Sequence, residues 1–459
     1  MTTATAHYDL IIIGTGSGNS IPSPEFDDKS IAIIEKGTFG GTCLNVGCIP
    51  TKMYVYAADV AYAARTAGRL GVHAHVDSVD WPSIVERVFH NRIDKIAEGG
   101  EAYRRSPETP NITVYDQHAR FVGPRLIETG GRVISGDQIV IATGSRPNVP
   151  DAFTDSGVRF YTNEDIMRME SQPRSLIIVG GGYIAMEFAH VFDGLGTKVT
   201  VVNRSEQLLR HLDTDISARF NELARARFNV RIGTVSALAD AAAGGVRITL
   251  DDGSALEADA VLVATGRVPN GDRMNLAAGG IDMHKDGRIV VDEYGRTTAE
   301  GVWALGDVSS PYMLKHVANA EMRALQHNLL HPEDLRPMPH DVVPAAIFTH
   351  PQIASVGMTE KEAREAGHQV AVKVQQYGDV AYGWAMEDDE GMVKLVADRK
   401  TGRLLGAHLM GAQASTLIQQ LITAMVYDID MRDFARNQYW IHPALPEVVE
   451  NAVLGLEWE

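Results

Sequence analysis

Cysteine is almost missing from this chain: 459 residues carry only Cys43 and Cys48. That excludes a disulfide-stapled scaffold and fits a reducing compartment, where a close cysteine pair is more often catalytic than structural. Long apolar runs are missing too. No stretch approaches the ~18 consecutive apolar residues of a membrane-spanning helix. The opening segment MTTATAHYDLIIIGTG lacks a charged region before its short LIII run, which reads against a signal peptide. Positive charge is in short supply, with 42 Lys and Arg against 59 Asp and Glu and a net charge of −17. No basic cluster offsets that balance, so nucleic acid and anionic membranes are poor partners. No metal-ligating set stands out, and the HAH at 73–75 reads as strand surface. A cytoplasmic protein with no metal is expected.

What is present is ordinary in bulk and unusual in detail. Hydrophobic content of 45% with 22% charged residues suits a globular chain, and the length suits two to four domains. The cysteines sit five residues apart in GGTCLNVGCIPTK, 40–52. On a regular helix that spacing would separate their Cα atoms by about 7.5 Å, beyond disulfide range. Asn45 and Gly47 allow the intervening segment to coil inward. Pro50 suits the first turn of a helix running into MYVYAADVAYAA.

Apolar β-type runs that end in glycine recur along the chain. YDLIIIGTGSGN at 8–19 reads as a buried strand entering a turn at Gly14, Gly16 and Gly18. Asn19 stands where a third motif glycine would, and Pro22 and Pro24 oppose a regular crossover helix. IAIIEK then supplies a strand ending in Glu35, 21 residues after Gly14, where a ribose-binding acid belongs. SLIIVGGGYIAMEFAHVF at 175–192 carries a cleaner motif of Gly180, Gly182 and Ala185 between strand and helix, suited to a pyrophosphate at the helix N-terminus. Its following strand, KVTVVN, ends in Asn203 rather than a carboxylate. Arg204 and Arg210 follow, which favours the 2′-phosphate of NADPH over the free hydroxyl of NADH. QIVIATG and AVLVATG, ending at Gly144 and Gly266, read as further strands. Strands alternating with helices predict parallel α/β domains. After about 335 the pattern changes to antiparallel strands and the helix TLIQQLITAMVYDI, an α+β unit.

These motifs resemble those of the dimeric pyridine nucleotide–disulfide oxidoreductases, and the resemblance spans essentially the whole chain. GGTCLNVGCIPTK is similar to that family's redox-active segment, and VWALGDVSS (302–310) to its second flavin motif. HPALPEVVENA (442–452) resembles its C-terminal histidine–glutamate signature more loosely, with Ala444 and Pro446 departing from it. The resemblance implies an α/β chain with two Rossmann-like domains, for FAD and NADPH, and a C-terminal α+β dimerisation domain. Its parts are 1–147 (FAD), 148–270 (NADPH), 271–335 (FAD and central) and 336–459 (interface). It implies FAD contacts at Gly14, Gly16, Gly18, Glu35, Gly41, Thr42, Lys52, Thr143, Gly144 and Asp307. Tyr183 and Gly266 join Gly180, Gly182, Ala185, Asn203, Arg204 and Arg210 for NADPH. Cys43 and Cys48 form the implied redox disulfide, with Cys48 facing flavin and Cys43 attacking a small-molecule disulfide. The thiolate is the nucleophile, and a cysteine at a helix N-terminus is expected to have a lowered pKa. Lys52 and Glu187 form an implied ion pair beside flavin. His442, oriented by Glu447, serves as acid–base across a homodimer interface.

Within the family, the first segment resembles that of members that reduce mycothione, the disulfide of a cysteinyl-glucosaminyl-inositol thiol. IPSPEFDD has no arginine to clamp an anionic disulfide. Glu25, Asp27 and Asp28 would repel one if they face the site, and otherwise are solvated surface. A glutathione reductase-like enzyme, a divergent dihydrolipoamide dehydrogenase and a redox-sensing flavoprotein without turnover remain as alternatives.

Overall fold

The computed structural model describes residues 4–242 and 244–458. The opening apolar run forms the strand Ala6–Ile13, inside a seven-stranded sheet. It pairs in parallel with Ile31–Ile34 on one side and Arg132–Ile141 on the other. Ile112–Tyr115 and Val302–Ala304 continue the parallel ladder at its two sides. Such strands are covered on both faces and therefore read as unbroken apolar runs. Leu10, Ile11, Ile12 and Ile13 are all buried, each worth about 1.5–3 kcal/mol relative to exposure.

The crossover from Ala6–Ile13 to Ile31–Ile34 contains no α-helix. As the prolines predict, two 3₁₀ turns, Gly18–Ser20 and Pro24–Phe26, take its place. Ile21 and Phe26 turn into the core, which leaves Glu25, Asp27 and Asp28 exposed. Arg104, ending the helix Asp94–Arg104, ties the segment down by donating to Asn19 Oδ1 at 3.0 Å and the Asn19 carbonyl at 2.6 Å.

Ser175–Val179 belongs to a second, four-stranded parallel sheet with Lys198–Asn203, Asn229–Ile232 and Ala260–Val263. Here a regular crossover helix, Tyr183–Gly194, is present. Three antiparallel strands, Val235–Asp240, Val246–Leu250 and Ala255–Ala258, form a separate sheet. The chain leaves the first sheet region through Ser145–Pro147 and returns through Arg267–Pro269, and these two strands pair with each other.

The C-terminal part is a five-stranded antiparallel sheet in the order Pro344–Ile347, Ile353–Gly357, Leu404–Met410, Met392–Asp398, Val370–Gln376. Helices Ala414–Val426 and Pro446–Leu454 pack on it through Leu417, Leu421, Val448 and Val449. Buried Lys394 fastens this sheet to its neighbour, with Nζ 2.9 Å from Asp213, 2.7 Å from Asp215 and 2.8 Å from Glu360. Asp213 also caps the helix Thr214–Arg227. The α/β class with an added α+β unit is as predicted. The HAH segment is not: residues 73–75 are irregular rather than strand, and His75 lies 3.1 Å from Asp77. Among the described residues, no helix is long and apolar enough to cross a membrane.

Candidate active site

A cleft of about 1380 Å³ runs from the first glycine turn past both cysteines to the Ser145–Pro147 and Arg267–Pro269 strands. At one end, Gly14 has φ +103°, and an added Cβ would lie 2.4 Å from the Ala142 carbonyl oxygen. Gly41 (φ +69°) packs equally closely, its Cβ position 2.7 Å from Gly16 Cα. A Cβ on Gly16, by contrast, would meet nothing within 4 Å, so the turn is open where a ligand backbone would approach. Glu35 closes the turn: Thr15 N–H and Oγ1–H donate to Oε2 at 3.0 and 2.7 Å, and Gly37 N–H donates to Oε1 at 3.0 Å. Thr42, Thr143, Gly144 and Asp307 line the same cleft. Thr143 Oγ1 is buried without a protein partner, and Asn270 anchors the backbone beside it by donating to the Thr143 carbonyl at 2.8 Å. An orphaned hydroxyl on the wall and a Cβ-free turn fit an elongated dinucleotide.

The cysteines are brought together by a broken helix. Gly41–Asn45 forms one short helix, and Cys48–Thr66 starts the next after Gly47. A Cβ on Gly47 would lie 2.9 Å from the Thr42 carbonyl oxygen, so the break requires glycine. Asn45 coils the segment inward as predicted, donating to the Phe39 carbonyl at 2.8 Å and the Gly41 carbonyl at 3.1 Å. Pro50 lies in the first turn of the longer helix.

Both cysteines are free thiols, so the expected disulfide is open in this structure. The Cys48 thiol and the N–H groups of Cys48 and Ile49 all donate to Cys43, and Lys315 adds positive charge; together these lower the Cys43 pKa from 9.0 to about 7. The Cys48 thiol, as donor to Cys43 and partly desolvated, is pushed up instead. The lowered pKa expected of a cysteine at the helix N-terminus thus falls on Cys43: Cys48 begins the helix, but the N–H groups of Cys48 and Ile49 point at Cys43.

Lys52 and Glu187 do not form the expected ion pair among the described residues. Lys52 Nζ sits 4.1 Å from the centroid of the Phe348 ring, and Glu187 Oε1 accepts the Phe348 N–H at 2.9 Å. Glu187 lines the cleft and Lys52 does not. Burial raises the Glu187 pKa to about 7, with the Phe348 N–H and the Lys52 charge opposing, and burial lowers that of Lys52. Both groups thus contact Phe348, Lys52 through the ring and Glu187 through the backbone N–H.

His442 is absent from the wall of its own chain's cleft, and its side chain is 69% exposed. Its Nδ1 donates to Glu447 Oε1 at 2.7 Å, while Glu447 Oε2 accepts the Ala444 N–H at 3.0 Å. That pairing leaves Nε2 free. Pro446, one of the departures from the family signature, opens the helix Pro446–Leu454, where proline is well tolerated. Tyr439 and Ile441 beside it are strongly exposed apolar side chains.

At the second glycine turn, Gly180 has φ +135°, and its Cβ would lie 2.2 Å from the Ala264 carbonyl oxygen; Gly182 would meet nothing within 4 Å. Ala185 is fully buried and permits close helix–strand packing. Tyr183 begins the helix and is the one residue of this group on the cleft wall. Asn203 turns into its own loop, donating to the Ser205 carbonyl at 2.8 Å and the Gln207 carbonyl at 3.1 Å. Arg204 and Arg210 are exposed, with no ion-pair partner among the described residues. Gly266 (φ +116°) lets the return strand turn beside this sheet.

Several site residues carried no local signal. Ser145 Oγ donates to Asp307 Oδ2 at 2.6 Å, and Arg267 donates to Ser145 Oγ at 2.7 Å. Their partners lie more than a hundred positions away. Only strand pairing brings them together. Glu25, Asp27 and Asp28 are exposed and do not line the cleft, which matches the solvated-surface alternative; Asp28 lies 3.0 Å from Lys29.

Comparisons with known proteins agree with this geometry. Residues 6–324 match the pyridine nucleotide-disulphide oxidoreductase model, and 343–453 match the dimerisation domain of the same family. The chain is 55% identical to mycothione reductase of Mycobacterium tuberculosis, covering 98% of this chain and 99% of that protein. It is 33% identical to glutathione reductase of Burkholderia cepacia, covering 96% and 97%. Among solved structures, the HOCl-induced flavoprotein disulfide reductase RclA from Escherichia coli superposes with a TM-score of 0.86 at 27% identity, covering 98% of this chain and 100% of that one. The chain belongs to the pyridine nucleotide-disulphide oxidoreductases, as a flavoprotein disulfide reductase that uses FAD and NAD(P)H and carries the family's dimerisation domain.

Proposed function

We propose that this enzyme reduces mycothione to two molecules of mycothiol with NADPH, through FAD and the Cys43–Cys48 pair. The observation that carries the substrate is the 55% identity to mycothione reductase along 98% of the chain. Exposed Arg204 and Arg210, which form no ion pair among the described residues, support NADPH, because two such cations suit a 2′-phosphate. The division at 147, 270 and 335 belongs to the same reading, as does action in the cytoplasm, where the only two cysteines stay available for exchange.

Bound FAD supplies the electrons, received from the nicotinamide, that open the Cys43–Cys48 disulfide. The chain does the rest. Cys43 carries the thiolate near neutral pH, since its sulfur faces two helix amides, the Cys48 thiol and the Lys315 charge. It attacks one sulfur of the substrate, forming a mixed disulfide and releasing the first thiolate. Cys48 then attacks Cys43, its proton passing to His442 of the partner subunit, which has already given a proton to the first leaving thiolate; the disulfide is restored and the second thiolate released. His442 of the partner subunit is the acid–base for those leaving groups. In its own chain, Glu447 holds the ring through Nδ1, which leaves Nε2 free, and His442 does not line the cleft. A homodimer would complete the site, and exposed Tyr439 and Ile441 are suited to such an interface.

The test is NADPH oxidation with mycothione, oxidised glutathione and lipoamide in parallel, repeated with NADH. Turnover with mycothione and NADPH alone is expected, and a preference for another pair would replace the substrate or cofactor part of this reading. Cys43→Ser should lower disulfide turnover by on the order of 10³-fold or more while FAD remains bound and reducible by NADPH. Full turnover in that variant would overturn the assignment of Cys43.

A further inference from the structure

The first glycine turn has a deficit. In a dinucleotide fold, the crossover helix after such a turn directs its N-terminal amides and dipole at the diphosphate. Here that helix is replaced by the three-residue 3₁₀ turns Gly18–Ser20 and Pro24–Phe26. A three-residue turn has almost no macrodipole. FAD bound along this turn would nonetheless bring two negative charges.

Lys315 stands where a cation would correct this. It opens the helix Lys315–Leu330 and is half-buried on the cleft wall. Its Nζ donates to Ser17 Oγ at 2.9 Å, inside the glycine turn, and Ser17 Oγ in turn donates to Asn319 Oδ1 at 2.9 Å, one helical turn further on. An ammonium has three donors and Ser17 takes one, so two remain for the cleft. Lys315 has no ion-pair partner among the described residues, and of the cations on this wall it is the one hydrogen-bonded into the glycine turn; Lys36 and Arg273 also line the cleft but are exposed, with no hydrogen bond to the turn among the described residues. Arg104 is spent on Asn19 and lies off the wall. Arg146 pairs with Asp272 at 2.7 Å, and Arg267 holds Ser145.

We propose that Lys315 is the cation that completes the FAD-diphosphate cradle, replacing the missing crossover helix with a side chain delivered from the opposite end of the sequence. Ser17 and Asn319 are its positioning partners. The same charge reaches Cys43, where it favours the thiolate. One residue thus serves both the cofactor and the nucleophile.

The experiment is FAD titration of the flavin-free dimer, followed by flavin fluorescence, for the wild type, Lys315→Met and Lys315→Arg. No disulfide substrate is present, so the result stands whether or not mycothione is the substrate. Loss of one charge-assisted contact is expected to raise the FAD Kd in Lys315→Met by ~10- to 100-fold, with Lys315→Arg close to wild type. Because Lys315→Met removes a contact to phosphate, its Kd should also depend less steeply on salt. Circular dichroism of the flavin-free proteins separates this from misfolding, and Lys315→Gln provides a second neutral variant if Lys315→Met is unfolded. An FAD Kd and salt dependence unchanged in a folded neutral variant would overturn the proposal.

Discussion

The two glycine turns of this molecule solve one problem by different means. Gly14–Gly18 and Gly180–Ala185 each follow a buried parallel strand, and each first glycine has positive φ with a carbonyl oxygen where a Cβ would go. Beyond that point they diverge. The second turn runs into the twelve-residue helix Tyr183–Gly194, whose N-terminus suits a phosphate group. The first runs into prolines and 3₁₀ turns, and its positive charge comes from Lys315, 298 positions away from Ser17. An anion site thus needs fixed positive charge at a defined point, and either a helix end or a positioned side chain can provide it.

The sharpest way to break this comparison is at the first glycine of each turn. Gly14→Ala and Gly180→Ala place a Cβ 2.4 and 2.2 Å from a carbonyl oxygen. Backbone strain alone costs about 1–3 kcal/mol at such positions. Each should abolish binding of its own nucleotide, seen as FAD lost on gel filtration for Gly14→Ala and NADPH binding lost for Gly180→Ala. Loss of both nucleotides in either variant would mean that the turns are not independent. Gly182→Ala, whose Cβ meets nothing within 4 Å, should keep wild-type stability and weaken NADPH binding alone.

A smaller effect is expected from Arg204→Ala combined with Arg210→Ala. Removing both cations should raise the KM for NADPH by ~10- to 100-fold and leave that for NADH nearly unchanged. An equal rise for both nucleotides would assign these arginines to the loop rather than to the 2′-phosphate. The smallest effect concerns the charge shared between the first turn and Cys43. A thiol is alkylated as the thiolate, so reaction of Cys43 with iodoacetamide in the reduced enzyme should rise with pH through a midpoint of about 7, below the ordinary 9.0. Cys48 should react only at higher pH. Peptide mass spectrometry of the alkylated sites distinguishes the two, and reversed reactivity would contradict the polarity of the pair.

Much of the site was legible because it is local. Strand-then-glycine runs, the Cys43–Cys48 segment and the five-residue spacing of His442 and Glu447 each lie within one turn or one strand end. Asn45 and Gly47 foretold the break between the two helices, and Pro22 with Pro24 foretold the missing crossover helix. The contacts that could not be read are long-range. Ser145 with Asp307, Lys315 with Ser17 and Lys394 with Asp213 are joined only by sheet pairing and domain packing. The contacts of Lys52 and Glu187 are long-range too: both meet Phe348, just past the strand Pro344–Ile347, and no ion pair between them is formed among the described residues.

By itself, the sequence determined the backbone grammar of this protein: where strands stop, where only glycine can turn, and where proline forbids a helix. These follow from φ limits and lost N–H donors, which act within a few residues. Tertiary structure decided the charges. It aimed the amides of Cys48 and Ile49 at Cys43, brought Lys315 to a turn short of positive charge, and left His442 off the wall of its own cleft. Electrostatic energy depends on distance and burial in space, and spacing along a chain encodes neither.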